Sequence, residues 1–169
     1  MDKKLDEPSY AWYQSPLGWI RIAADENCVT EVAFNDNLEH PPAMPAVLLP
    51  LQLACMEQLI QYFQGERRAF DLPLGQAGTV FQQDVWNLLT AIPFAKTISY
   101  LELAVRVGDS KATRAVANAN GRNNIAVIVP CHRVIGSNGE LTGYAGGLWR
   151  KKWLLEHERK LAYGVQTLF

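Results

Sequence analysis

Long apolar runs are missing from this chain: no stretch approaches the roughly 20 apolar residues that a membrane-crossing helix needs, so no membrane partner is expected. Met1-Asp2-Lys3-Lys4-Leu5-Asp6-Glu7 has no apolar core behind its lysines and does not read as a secretory signal. Cysteine is scarce. The three residues, at 28, 55 and 131, are odd in number and far apart, which excludes a dense disulfide framework and favours free thiols in a reducing, cytoplasmic setting. Metal-ligand spacing is missing too: Cys28 and Cys55 stand alone and His40 lies among prolines, so no zinc site is expected. A strong charge of either sign is also lacking, the net value being −1. What is present is an ordinary globular balance, 49% hydrophobic and 20% charged, in 169 residues. That length can hold one sizeable core or two small domains.

Dividing the chain at the glycine-rich Gly75-Gln76-Ala77-Gly78 exposes a charge asymmetry. Residues 1–77 carry five Lys/Arg against eleven Asp/Glu, and residues 78–169 carry eleven against six. A basic C-terminal half suits a polyanion, although a merely uneven surface distribution explains it equally well. The first unit, 1–77, has three short aromatic and β-branched runs, Trp12 to Ser15, Trp19 to Ala24 and Val29 to Phe34. Turn residues separate them. A proline-punctuated connection leads to helical spacing from Leu51 to Phe63, with Leu53, Met56, Leu59, Ile60 and Phe63 on one side and Gly65 as the stop. Phe70 to Leu74 is expected to form a further strand. Nothing in this unit points to chemistry.

The second unit, 78–169, reads as mostly helical, so the expected class is α+β: a small strand-meander and helix domain followed by a helical one. Thr79 can cap a helix bearing Phe81, Val85, Trp86 and Leu89 that ends before Pro93. Ser99 can cap a short helix with Leu101, Ala104 and Val105 on one face. Gly108 breaks the chain, and Ser110 is expected to cap another helix running to about Asn120. Two short helices about a glycine-containing turn make a helix-turn-helix pattern. In the later helix, Ala112, Val116 and Ala119 form an apolar face. The opposite face (Ser110, Thr113, Arg114, Ala117 and Gly121) is nearly all small, which permits close approach to another surface, whether a neighbouring helix or a ligand.

Chemistry concentrates after the apolar run Ile125-Ala126-Val127-Ile128-Val129, which is expected to be a buried strand. It ends in Pro130-Cys131-His132-Arg133, and glycines follow at 136, 139, 143, 146 and 147. A cysteine beside a histidine is a candidate nucleophile, because the thiolate is the reactive form and an imidazole can take its proton. An inert core cysteine is the ordinary alternative. Neighbours in an extended segment point to opposite sides, so His132 reaches Cys131 only if the backbone turns or a water intervenes.

Pro130-Cys131-His132-Arg133-Val134-Ile135-Gly136, followed by Gly139 and Leu141-Thr142-Gly143-Tyr144-Ala145-Gly146-Gly147, resembles the active-site signature of the O6-alkylguanine-DNA alkyltransferases, the methylated-DNA–protein-cysteine methyltransferases. The likeness extends through Phe81-Gln82, Val85-Trp86, Ser99-Tyr100, Arg114-Ala115-Val116, Asn123, Trp153-Leu154-Leu155 and Glu158, essentially the whole second unit. The first unit matches the family's variable N-terminal domain only in size and type.

The resemblance implies direct DNA repair. Cys131 would take the alkyl group of O6-alkylguanine, with O4-alkylthymine left open, in one irreversible step. Glu158, His132 and a water would draw off the thiol proton. Tyr100 would donate to the lesion base as it leaves, Asn123 would hold the active-site turn, and Val134, Tyr144 and Ala145 would line the pocket. The partner implied is double-stranded DNA carrying alkylated bases. The helix with Thr113, Ala115 and Ala117 would enter the minor groove, Arg114 would replace the flipped base, and Lys111 and Arg122 would meet phosphates. Arg150-Lys151-Lys152 would do the same or form a solvated face. The molecule would act as a monomer, once, with no cofactor and no metal. Three departures stand out: Ala117 replaces a usual glycine, Asn123-Asn124 a usual Asn-Pro, and Pro93-Phe94-Ala95-Lys96 lacks a usual turn glycine. A non-catalytic lesion binder, a cysteine hydrolase and a transcriptional helix-turn-helix module are the rivals from other classes.

Overall fold

Aromatic and β-branched residues alternate through the first part of the chain and build three antiparallel strands in this computed structural model, which describes residues 9–164. Residues 1–8 and 165–169 lie outside it, the lysine-containing N-terminal segment among them. Contacts divide the chain into two units between Ala77 and Gly78.

In the first unit, β1 (Ala11–Ser15), β2 (Gly18–Ala24) and β3 (Val29–Phe34) pair in sequence order. The turn from β1 to β2 is closed by the Ser15 hydroxyl, which donates to Gly18 O at 2.7 Å and accepts from Leu17 N. Ala11, Ile20, Ile22, Val29 and Val32 are buried under helix α1 (Pro50–Phe63). The buried face of α1 shares Leu59 and Phe63 with the expected one but is rotated away from Leu53, Met56 and Ile60. Gln52, Cys55, Leu59, Tyr62 and Phe63 turn inward, whereas Leu53 is exposed. Gln52 sets this rotation: its amide donates to Ser9 O and Ile22 O and accepts from Leu49 N, so a polar side chain is satisfied inside. The strand expected over Phe70 to Leu74 does not form. Only Leu74 makes a parallel bridge, to Val29, because Pro73 has no N–H to continue a ladder.

The second unit holds α2 (Val80–Thr90), β4 (Ile98–Ser99), α3 (Tyr100–Val107), α4 (Thr113–Gly121), β5 (Val134–Ile135) and α5 (Leu148–Tyr163). Thr79 and Gln82 cap α2 reciprocally, and Ser99 caps α3 through Glu102 N. Leu103 and Ala104 are the buried residues of α3, while Leu101 and Val105 face outward, a rotation of the expected face. Gly108 ends α3 in the left-handed region at φ 105°, where a Cβ is disfavoured. The next helix starts two residues later than expected, with Ala112 at the cap position. Ser110 does not cap it; Asp109 forms a turn instead, its carboxylate accepting from Lys111 N and its carbonyl from Ala112 N. Val116 and Ala119 pack α4 inward, and Trp86 Nε1 donates to Ala119 O at 2.9 Å, tying α2 to the end of α4. β4 and β5 pair in parallel, Ile98 with Val134.

Candidate active site

The apolar run before Cys131 is buried but is not a strand. Residues 125–129 fold into a tight turn, with Val129 N donating to Ile125 O at 3.0 Å and Val127 held at φ 68°. A β-branched residue in the left-handed region is strained. The Asn123 side chain braces it, donating to Ile125 O at 3.2 Å and Val129 O at 2.9 Å while accepting from Ile125 N at 3.1 Å. The chain leaves this turn into a 3₁₀ turn over Cys131–Arg133. Cys131 and His132 are therefore not opposed as in a strand, and both are buried.

His132 Nε2 lies 2.7 Å from Glu158 Oε2. An ionised carboxylate only accepts, so Nε2 carries the hydrogen and Nδ1 keeps its lone pair. Nδ1 is buried and has no hydrogen-bond partner among the described residues. Burial lowers the imidazole's pKa, outweighing the opposing pull of Glu158, so His132 favours the neutral form. Glu158 is also fully buried. Burial alone would raise its pKa, but His132 and Arg133 hold it far below the usual carboxylate range. Arg133 grips it twice, Nε to Oε1 at 2.8 Å and Nη2 to Oε2 at 3.0 Å, and also donates to Ile92 O. The amide of Ala95, at φ 62°, adds a fourth donor at 3.1 Å. Burial likewise raises the Cys131 thiol, with Asn123, Lys151 and nearby N–H groups pulling it down only in part. A protonated thiol beside a neutral, carboxylate-oriented imidazole is an arrangement for making a thiolate on demand.

A cavity of about 500 Å³ opens in front of this group, lined on one side by Tyr100, Thr142, Gly143, Tyr144 and Ala145 and on the other by α4. Cys131 stands just behind the lining: Asn120, one of the lining residues, donates to its carbonyl at 3.3 Å. Burial raises the pKa of both tyrosines, that of Tyr144 strongly, so each phenol keeps its proton. Val134 lies outside the lining, fully buried in β5.

The Tyr100 hydroxyl donates to Thr142 O at 2.8 Å, and Lys151 Nζ donates to Tyr100 Oη at 3.3 Å, Thr142 O at 2.9 Å and Gly143 O at 3.3 Å. Lys151 is fully buried and its pKa falls to about 8, burial outweighing the pull of Cys131. The expectation of a solvated or phosphate-facing Arg150-Lys151-Lys152 cluster therefore fails for two of its members. Arg150 is buried as well, donating to Gly146 O, and only Lys152 is exposed. Thr113, Arg114 and Ala117 of α4 line the cavity, with Arg114 exposed. Ala115 is exposed on the same helix but outside the lining; Lys111 and Arg122, at its two ends, are exposed too. Sequence reasoning assigned no role to Arg133, Ala95 or Asn120 and misplaced Lys151. The signal for Lys151 was available: Lys151, Leu154, Leu155 and Glu158 follow i, i+3, i+4, i+7, one face of α5.

Comparison with known proteins agrees with this geometry. Residues 80–160 match the DNA-binding domain of 6-O-methylguanine DNA methyltransferase, and residues 9–76 match that family's ribonuclease-like domain. The methylated-DNA–protein-cysteine methyltransferase of Methanosarcina acetivorans is 47% identical over 152 residues, covering 88% of this chain and 97% of that relative. The constitutive enzyme of that name from Bacillus subtilis is 40% identical over 165 residues, covering 91% and 96%. Among solved structures, the Mycobacterium tuberculosis O6-methylguanine methyltransferase superposes with a TM-score of 0.81 at 41% identity, over 94% of this chain and 97% of that one. The same organism's protein in complex with DNA superposes equally well, at 42% identity over 90% and 94%. With these relatives matched along nearly their whole length, and both family domains matched in order, this chain belongs to the methylated-DNA–protein-cysteine methyltransferase family.

Proposed function

We propose that this protein repairs DNA by moving an alkyl group, methyl above all, from O6-alkylguanine to Cys131. The observation that carries the reading is the buried Glu158–His132 pair next in the chain to Cys131, whose carbonyl is held by Asn120 of the cavity lining. His132 Nδ1 takes the thiol proton through a bridging water. The sulfur then attacks the alkyl carbon, an S–C bond forms as the C–O bond breaks, and the purine leaves with the electron pair. Tyr100, whose phenol keeps its proton, exchanges Thr142 O for a ring nitrogen of the base and protonates it. Lys151 holds Tyr100 and the Thr142–Gly143 turn while this happens. The thioether product has no route to cleavage, so each molecule acts once. Nucleophile, relay and acid all belong to one unit of one chain, so a monomer suffices.

The lesion must leave the base stack, at a cost of about a few kcal/mol. α4 offers Thr113, Ala115 and Ala117 to a narrow minor groove, with Arg114 as the side chain that fills the vacated stack. Lys111 and Arg122 flank it for phosphate contacts. Intact-mass spectrometry after incubation with duplex DNA carrying one O6-methylguanine, followed by peptide mapping, tests the reading. A gain of one methyl on Cys131, saturating at one per molecule and abolished in Cys131→Ala, is the expected result. An unchanged mass with DNA bound would leave a lesion-binding module.

A further inference from the structure

Arg133 follows His132 in the chain, and the two side chains meet at one carboxylate oxygen. His132 Nε2 lies 2.7 Å from Glu158 Oε2, and Arg133 Nη2 donates to that same oxygen at 3.0 Å. The guanidinium is fixed from three other directions. Its Nε donates to Glu158 Oε1 at 2.8 Å, its Nη1 donates to Ile92 O at 2.7 Å, and its Cζ lies 5.8 Å from the centre of the Phe94 ring. All three members of the group are buried, so this positive charge is a permanent part of the site. A histidine paired with a carboxylate ordinarily holds a second proton more tightly, because imidazolium and carboxylate attract each other. Such a pair makes a poor base. Here Arg133 has already cancelled the charge of Glu158. The three side chains carry no net charge with His132 neutral and a net positive charge, inside the protein, once it is protonated.

We infer that Arg133 is a positioning residue of the transfer reaction: by sharing Glu158 Oε2 with His132 it keeps the imidazole from taking a proton from solvent. This rests on the alkyl-transfer reading above, in which His132 must be free to receive the thiol proton. The two sources of that proton differ in charge. A proton from solvent adds a positive charge to the buried group, whereas a proton from Cys131 leaves a thiolate behind to balance it. Arg133 therefore opposes the first far more than the second. The other charged and titratable groups around His132 act in the same sense or are neutral. Lys151 of α5 adds a second positive charge, although its hydrogens go to Thr142 O, Gly143 O and Tyr100 Oη. Burial keeps the proton on Cys131, on the same turn, and on Tyr144, in the loop before α5. α2, which also packs on this turn, has Asp84 as its charged residue, and that side chain is exposed.

The test is the pH dependence of single-turnover methyl transfer from a saturating O6-methylguanine duplex, between about pH 5 and 8, where histidines ordinarily titrate. The wild-type rate should stay level as pH falls through the ordinary histidine value of 6.5. Arg133→Met, uncharged, should lose transfer on the acid side, with the half-maximal point moved up by about one pH unit or more. Arg133→Lys, which keeps the charge but not the fork, should react more slowly with its acid limb near that of wild type. A purely structural role would lower the rate of Arg133→Met equally at every pH, and that result overturns the inference. Should Arg133→Met not fold, nitrogen-15 NMR of His132 in unreacted wild type decides. A neutral ring with its hydrogen on Nε2 at about pH 6 is expected, and an imidazolium there overturns the inference. No transfer to wild-type Cys131 at any pH would instead refute the alkyl-transfer reading, and this role for Arg133 with it.

Discussion

The amide of Ala95, held at φ 62°, donates to Glu158 Oε1 at 3.1 Å, so a strained backbone position helps to fix the carboxylate that orients His132. An L-residue in the left-handed region costs about 1–2 kcal/mol, and glycine recovers this less the extra entropy of its unfolded chain, about 0.4–1 kcal/mol. Ala95→Gly should therefore stabilise the protein by about 0.5–1 kcal/mol in urea unfolding and leave the transfer rate unchanged. A loss of stability would mean that the alanine methyl makes a compensating contact.

Glu158 joins two buried cationic or potentially cationic partners, and removing it leaves Arg133 without its ion pair. Glu158→Gln should cost about 3–5 kcal/mol of stability, the usual penalty for stranding a buried charge. It should also slow transfer by about a hundredfold or more, since an amide leaves one acceptor oxygen for the His132 and Arg133 donors and no charge to stabilise the imidazolium. Because the folded-state pKa of Glu158 is depressed, its stabilisation is complete above the ordinary value near 4.5 and is lost as pH falls below it toward the folded value. Urea titrations of wild type and Glu158→Gln across this range should converge on the acid side. Parallel curves would place the acid sensitivity elsewhere.

Lys151 makes the opposite prediction on the alkaline side. Its folded pKa, about 8, lies below the ordinary 10.5, so between these values the unfolded chain binds the proton more tightly and stability rises with pH. The stability of wild type minus that of Lys151→Met should grow by something on the order of 1–3 kcal/mol from pH 8 to 10.5. Lys151→Met should also slow transfer by about tenfold or more, by freeing Tyr100 and the Thr142–Gly143 turn. An unaltered rate would reduce Lys151 to a packing residue.

The legible parts of this molecule were those set by local chemistry. Thr79 and Ser99 announce their helices by capping, and the β1 to β3 runs announce theirs by composition, because the first few residues decide the outcome. The parts misread were decided by distant partners. Residues 125–129 have the composition of a strand, but the Asn123 side chain takes up backbone groups that a ladder would have used. Leu53 looked like core until Gln52 found three backbone partners. In the active site, motif spacing brought Cys131, His132 and Glu158 to attention. It was silent on Lys151, because a lysine becomes buried only where several acceptors converge, and Thr142, Gly143 and Tyr100 converge through the loop that precedes α5.

Arg114 separates binding from chemistry. It lies in the first turn of α4, exposed, on the opposite wall of the cavity from Tyr144 and Ala145. No hydrogen bond or ion pair ties it to Cys131, His132 or Glu158, so its loss should leave the relay intact. In duplex DNA, however, the flipped lesion leaves a gap that relaxes back at a gain of about a few kcal/mol unless a side chain occupies it. Arg114→Ala should thus slow transfer from duplex O6-methylguanine by about ten- to a hundredfold. Transfer from the free modified base, which needs no flipping, should change by less than about twofold. Single-turnover rates on the two substrates give the comparison directly. Equal losses would mean that Arg114 shapes the cavity itself, and the side chain that holds the stack open would then have to be sought elsewhere on α4.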